Sequence, residues 1–189
     1  MTPTPAAPSI ERIVLDTNAV LDWLVFANPA CLDWQQQLAS GSVRWLVTAE
    51  MRVELAHVLG RAAMRARGVD AAQIWRVWDC YATLCPAAAT EAVPILQLRC
   101  TDPSDQMFID LAIAQGAHWL ITRDRAVLKL ARGARRFGLS IATPDHYGEA
   151  QESARRAIAG SDPAMRLTVV SGGNPLTLPQ PVDAALPSP

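Results

Sequence analysis

An α/β domain with a mostly parallel sheet is the fold class that this sequence predicts, on three observations. Short apolar runs of strand length recur along the chain. Stretches with helical periodicity lie between them, and each run stops at a polar residue or a turn signal. Strands that alternate with helices build a layered sheet, because parallel neighbours require a crossover and a helix supplies it.

The strand candidates are residues 12–15, 44–47, 118–121 and 139–142. Helical patterns cover 28–39, 49–64, 71–83, 103–115 and 125–131. The second is crowded with Val53, Leu55, Val58 and Leu59, and the third carries Ile74, Trp75, Val77, Trp78 and Tyr81. Residues 92–99 read equally as a further strand or an irregular crossover. After Tyr147 the character changes: residues 148–189 hold six of the 14 prolines and a Gly172-Gly173-Asn174 break. That segment reads as a short helix over 149–159 followed by a largely extended tail, in which 166–170 alternates weakly enough to suit an edge strand or a clasp on a partner. The expected organisation is therefore a loose leader over 1–9, one domain over 10–147 and a Pro-rich tail over 148–189.

A chain of 189 residues, half of them hydrophobic and 19% charged, suffices for one domain with a sizeable core. No run approaches the roughly 18 apolar residues of a membrane span, and residues 1–9 lack the basic and apolar blocks of a signal peptide. A net charge of −1 argues against strong non-specific binding to a phosphate backbone. Of the basic residues only Lys129 is not arginine, the side chain suited to bidentate phosphate contacts. Cys31, Cys80, Cys85 and Cys100 form no C-x-x-C pair, and His57, His118 and His146 have no zinc-ligand spacing. These cysteines read as buried thiols in a reducing cytoplasm.

The chemistry concentrates in acids. Ile13-Val14-Leu15 forms a strand that ends on Asp16, and ligand crevices of open parallel sheets lie outside the carboxyl ends of strands. Trp119-Leu120-Ile121 repeats the pattern and ends on Thr122-Arg123-Asp124. Each aspartate also suits a helix N-cap. Two carboxylates about 5 Å apart repel by roughly 3 kcal/mol at an effective dielectric near 20, a cost that a divalent cation removes. Between these strands, Asp102-Pro103-Ser104-Asp105 is a helix start, with Asp102 as cap and Asp105 near the third helical position. Asp110 does not share a face with Asp105 and reads as solvated or locally paired. Glu50 and Glu54 share a helix face. The helix dipole accounts for Glu50, whereas Glu54, between Val53 and Leu55, needs a partner or a metal.

The ordered set Leu15-Asp16-Thr17-Asn18, Glu54-Leu55 with Val58-Leu59 and Arg61, Asp102-Pro103-Ser104-Asp105-Gln106-Met107-Phe108 with Leu111-Ala112, and Leu120-Ile121-Thr122-Arg123-Asp124 resembles the PIN-domain family. It is most similar to the branch described as toxin components of toxin–antitoxin pairs. The resemblance spans residues 10–147. It implies a three-layer α/β/α sandwich and Mg²⁺- or Mn²⁺-dependent hydrolysis of RNA. It also implies Asp16, Glu54, Asp105 and Asp124 as metal ligands and catalytic acids, with Asn18 and Thr122 in support. An antitoxin protein and a homodimer are the implied partners. Arg123 and Arg125 are candidates for holding substrate phosphates. No P-loop, G-x-S-x-G elbow or G-x-G-x-x-G motif supports another enzyme class. A PIN-like module that binds RNA or a partner without cutting is the alternative.

Overall fold

The computed structural model describes residues 10–86 and 98–161. The readings for residues 1–9, 92–97 and 166–170 fall outside them. Five strands appear where the sequence suggests four: β1 (Glu11–Leu15), β2 (Val43–Val47), β3 (Ala82–Leu84), β4 (Trp119–Ile121) and β5 (Ser140–Ala142). They form one sheet in the order β3-β2-β1-β4-β5 with every pairing parallel. Ile13, Val14 and Leu15 are all buried, as are Trp45, Leu46 and Val47, so consecutive side chains find cover on both faces. A sheet buried on both sides is the middle layer of an α/β/α sandwich.

The helices are α1 (Thr17–Leu24), α2 (Leu32–Ser40), α3 (Ala49–Leu59), α4 (Ala62–Ala66), α5 (Ala71–Tyr81), α6 (Gln106–Ala114), α7 (Arg125–Leu128), α8 (Ala131–Ala134) and α9 (Pro144–Ser161). Trp45 pairs in register with Ile13, and Ile13 with Trp119, so the three point to one face. On that face Trp45 meets Trp23 of α1 and Trp78 of α5, with ring centroids at 6.0 and 4.8 Å. Trp119 meets Tyr147 of α9 at 5.1 Å, and Tyr147 meets Trp34 of α2 at 5.9 Å. The edge-to-face rings knit four helices to the sheet. Residues through Ala154 form one compact unit; of the second unit, Arg155–Pro189, the helical residues to Ser161 are described.

Of the element boundaries that differ from the sequence reading, three have a clear physical reason. The helix expected over 49–64 breaks at Gly60, where the backbone N–H bonds back to Ala56 and Val58 and α4 begins anew. The helix expected over 71–83 ends at Tyr81, and the chain turns extended to pair β3 with β2. Its last two residues are thus strand, which the apolar periodicity conceals. Finally, α9 begins at Pro144, five residues before the expected 149, with Thr143 holding the His146 N–H at 3.3 Å.

Candidate active site

The strand order places β1 at the centre: the chain moves outward through β2 and β3, then returns to lay β4 on the other side of β1. The reversal lies between the carboxyl ends of β1 and β4, where open α/β sheets form their crevice. Leu15 pairs with Ile121, so the residues that follow, Asp16 and Thr122, emerge side by side. The Asp16 N–H donates to the Ile121 carbonyl at 3.0 Å, and the Thr122 hydroxyl donates to Asp16 Oδ2 at 2.5 Å. The same Thr122 oxygen accepts the Asp124 N–H at 2.9 Å. Thr122 is fully buried and thereby ties the two strand-end aspartates together.

Both aspartates also cap the helices that follow. Asp16 Oδ1 accepts the Asn18 N–H at 3.1 Å, and Asp124 Oδ1 accepts those of Ala126 and Val127 at 2.6 and 3.2 Å. Capping and site roles coexist, because each cap uses one carboxylate oxygen. Asp16 is only 2% exposed. Burial pushes its pKa up and nearby Asp124 adds to this, while the Thr122 hydroxyl and the Asn18 N–H pull it back.

Asp105 and Glu54 come from the helices. Asp102 opens the 3-10 turn Pro103–Asp105 by accepting the Ser104 N–H and hydroxyl at 2.9 and 2.7 Å. Asp105 closes that turn and starts α6 without making a cap hydrogen bond. Helix α6 packs on β1, β2, β4 and α3, which carries Asp105 to the same sheet edge. Burial first, then the charges of Asp16, Asp124, Asp102 and Glu54, raise the Asp105 pKa to about 6. Glu54 is likewise raised by burial and by Asp16, and lowered by the Thr17 hydroxyl and Arg61. The four predicted acids therefore lie within electrostatic reach of one another.

Asp102 stays fully solvated, with its pKa lowered by Ser104. Asp110 accepts the Gln106 side-chain amide at 2.7 Å, the local pairing expected of it. Glu50 sits in the first turn of α3 with its pKa lowered by the helix-start N–H and Thr48. Sequence reasoning missed the role of Thr17, whose hydroxyl lies on Glu54, although it directly follows Asp16. It also missed the partners of Arg123, which lies in ion pairs with Asp22 and, at 3.3 Å, with Asp145. That arginine is committed to protein carboxylates rather than left for phosphate.

A hard divalent cation fits this donor set. All four groups are carboxylates, the ligands suited to Mg²⁺ or Mn²⁺, and Glu54 Oε2 is buried with no hydrogen-bond partner. A buried charged oxygen without a partner is costly. As placed, no three acidic, histidine or cysteine side chains among the described residues are close enough to enclose one ion. Asp16 and Asp124 are pinned by their caps, whereas among the described residues the Asp105 carboxylate makes no cap hydrogen bond and Glu54 has one oxygen without a hydrogen-bond partner. Ligation would fall to two fixed and two adjustable groups.

A family profile described as PIN domain matches residues 12–126. The chain belongs to the PIN domain family. All four acids of the cluster lie inside the matched span, which runs from β1 into the start of α7. PIN domains are generally nucleases. Among solved structures, the chain is similar to one in the crystal structure of VapBC2 from Rickettsia felis bound to a DNA fragment from their promoter. That similarity has a TM-score of 0.49 and 14% identity, covering 69% of this chain and 96% of that one. No curated protein matches the chain. No helix among the described residues is long and apolar enough to cross a membrane.

Proposed function

We propose that this PIN domain is a Mg²⁺- or Mn²⁺-dependent ribonuclease that hydrolyses RNA phosphodiesters with water as nucleophile. The observation that supports the reading is the grouping of Asp16, Glu54, Asp105 and Asp124 around the switch point of the sheet, where burial first and then the neighbouring acids raise the pKa of Asp105 to about 6. Clustering like charges at the crevice destabilises the metal-free protein, and a structural role explains only the capping oxygens of two of them.

A divalent ion held there supplies charge neutralisation at the scissile phosphate and a more acidic bound water. Asp16 and Asp124 give fixed oxygens from the strand ends, and Thr122 holds their relative position. Asp105 and Glu54 complete the ligand set or accept a proton from the attacking water. Arg125, exposed beside Asp124 and without an ion pair among the described residues, is the phosphate contact in place of Arg123.

The toxin of a toxin–antitoxin pair is the biological setting that the sequence resemblance favours, with an antitoxin and a second copy of the chain as partners. The domain organisation proposed with it is a leader over 1–9, the nuclease over 10–147 and a tail over 148–189. Purified protein should cut single-stranded RNA with Mn²⁺ or Mg²⁺ and stop on addition of EDTA. A folded, metal-loaded protein that leaves varied RNA and DNA intact would establish the binding-module reading instead.

A further inference from the structure

Three arginines fall together in one short segment of the chain. Arg52, Arg76 and Arg123 are paired with Asp79, Asp70 and Asp22, whereas Arg61, Arg65 and Arg67 have no carboxylate within ion-pair distance among the described residues. All three belong to α4 or its caps, and α4 buries none of its residues. This short helix contributes no buried residue and presents three arginines, of which Arg65 also donates to the Gly60 carbonyl. Its N-cap, Arg61, donates its backbone N–H to the Val58 carbonyl at 3.1 Å and so follows directly on α3, the helix that carries Glu54. Its C-cap, Arg67, lines a cavity of about 350 Å³ with Leu24, Val25, Val69, Asp70 and Gln73. The span of α4 and its caps is about 9 Å at 1.5 Å per residue. The helix is thus a basic path from the end of α3 to the cavity.

The Arg67 guanidinium also lies 5.3 Å from the ring centroid of Phe26, a large aromatic that is 45% exposed. The loop that presents Phe26 is held, not slack. The Phe26 N–H donates to the Leu21 carbonyl at 3.0 Å and the Asn28 N–H to the Asp22 carbonyl at 2.9 Å. Ala27 between them takes φ of 48°, the left-handed region that non-glycine residues rarely adopt. An outlier of this kind persists only where the surroundings over-determine it.

We infer that Phe26 and Arg67 form a stacking platform for an unpaired nucleobase of an RNA strand whose phosphates follow the α4 arginines to the acidic cluster. An exposed aromatic ring beside a guanidinium plane, at the end of a basic path, is the arrangement by which single strands are held without sequence preference. A volume of this size lies within the range of small-ligand pockets. Duplex RNA would not engage the platform, because its bases are already stacked on one another. The inference rests on the ribonuclease reading and assigns to Phe26 and Arg67 the holding of an unpaired base near the cut.

The test is fluorescence anisotropy of an end-labelled single-stranded RNA octamer in EDTA, so that binding is read without cleavage. Phe26→Ala should weaken binding by roughly 5- to 100-fold, the range that loss of a stacking aromatic gives, and Phe26→Trp should restore it. Replacing Arg61, Arg65 and Arg67 together by glutamine should lower the salt slope by about 2, since single strands release counterions at about 0.7 per contact. The unlabelled duplex should compete poorly. All variants should melt with the wild type, as none of these side chains is in the core. Equal binding by wild type and Phe26→Ala, or no octamer binding by wild type, overturns the inference. Cleavage that persists with such a result leaves the nuclease reading standing, and platform-dependent binding without cleavage does the reverse.

Discussion

Replacing Asp105 by asparagine isolates the electrostatic strain of the acidic cluster. A carboxyl whose pKa in the folded protein exceeds its unfolded value stabilises the fold at low pH, and that contribution is lost as pH rises through the folded pKa. For Asp105 the window runs from its ordinary 3.8 to about 6. Two pKa units correspond to about 3 kcal/mol, and solvent screening at a half-exposed carboxyl reduces this to about 1 kcal/mol. Wild-type protein in EDTA should therefore lose about 1 kcal/mol between pH 4 and 7 that Asp105→Asn retains, a difference of about 2–4 °C in Tm. Urea melts across this range measure it directly. Excess Mn²⁺ should reverse the order at pH 7.5, since an ion at a hundred times its Kd stabilises by about 2.7 kcal/mol and the variant binds it less well. A stability difference that stays the same at pH 4.5 and 7.5 would show that the charge of Asp105 is not what its neighbours oppose.

Four further outcomes follow from the geometry. Asp16→Asn and Asp124→Asn keep competent caps and should abolish Mn²⁺-dependent cleavage while Tm in EDTA stays level or rises; a sharp fall in Tm would make both acids structural. Asp102→Asn and Asp110→Asn should cut RNA at near wild-type rates, and a dead Asp102→Asn beside an active Asp105→Asn would move the third ligand one turn back. Thr122→Val removes the hydroxyl shared by Asp16 and the Asp124 N–H; it should cost about 1–3 kcal/mol in urea melts and lower kcat more than it raises KM. Trp45→Ala, at the centre of the aromatic cluster, should destabilise by about 3–5 kcal/mol while leaving the Mn²⁺ concentration for half-activity unchanged.

The legible parts of this protein were those in which local sequence and fold agree. Three consecutive apolar residues before Asp16, and again before Thr122, mark strands buried on both faces, and their ends mark the crevice. The Asp-Pro-Ser-Asp start of the α6 region reads correctly because proline fixes the turn and Asp102 caps it. Strand β3 was illegible: Ala82-Thr83-Leu84 continues the apolar content of α5, and only pairing with β2 makes it extended. Helix α1 gave no separate signal beyond its cap at Asp16. The ion pairs of Arg123 could not be read because Asp22 lies 101 residues away and no local spacing encodes that contact. The apolar neighbours of Glu54 suggest a deep position in α3; Leu55 is buried but Val53 is largely exposed, so the carboxylate is half-buried rather than enclosed.

The central position of β1 has a consequence for the order in which the protein is made. Thr122 stands 106 residues after Asp16, and β1 must wait for β4 to be synthesised before its second edge is paired. A chain that has emerged only as far as α5 carries Asp16 and Glu54 but neither Asp105 nor Asp124. Contacts this distant in sequence form late, because loop-closure entropy must be overcome first. Unfinished or truncated chains therefore lack the assembled cluster, and the ability to cut RNA would arise at a late step of synthesis, when the returning strand docks.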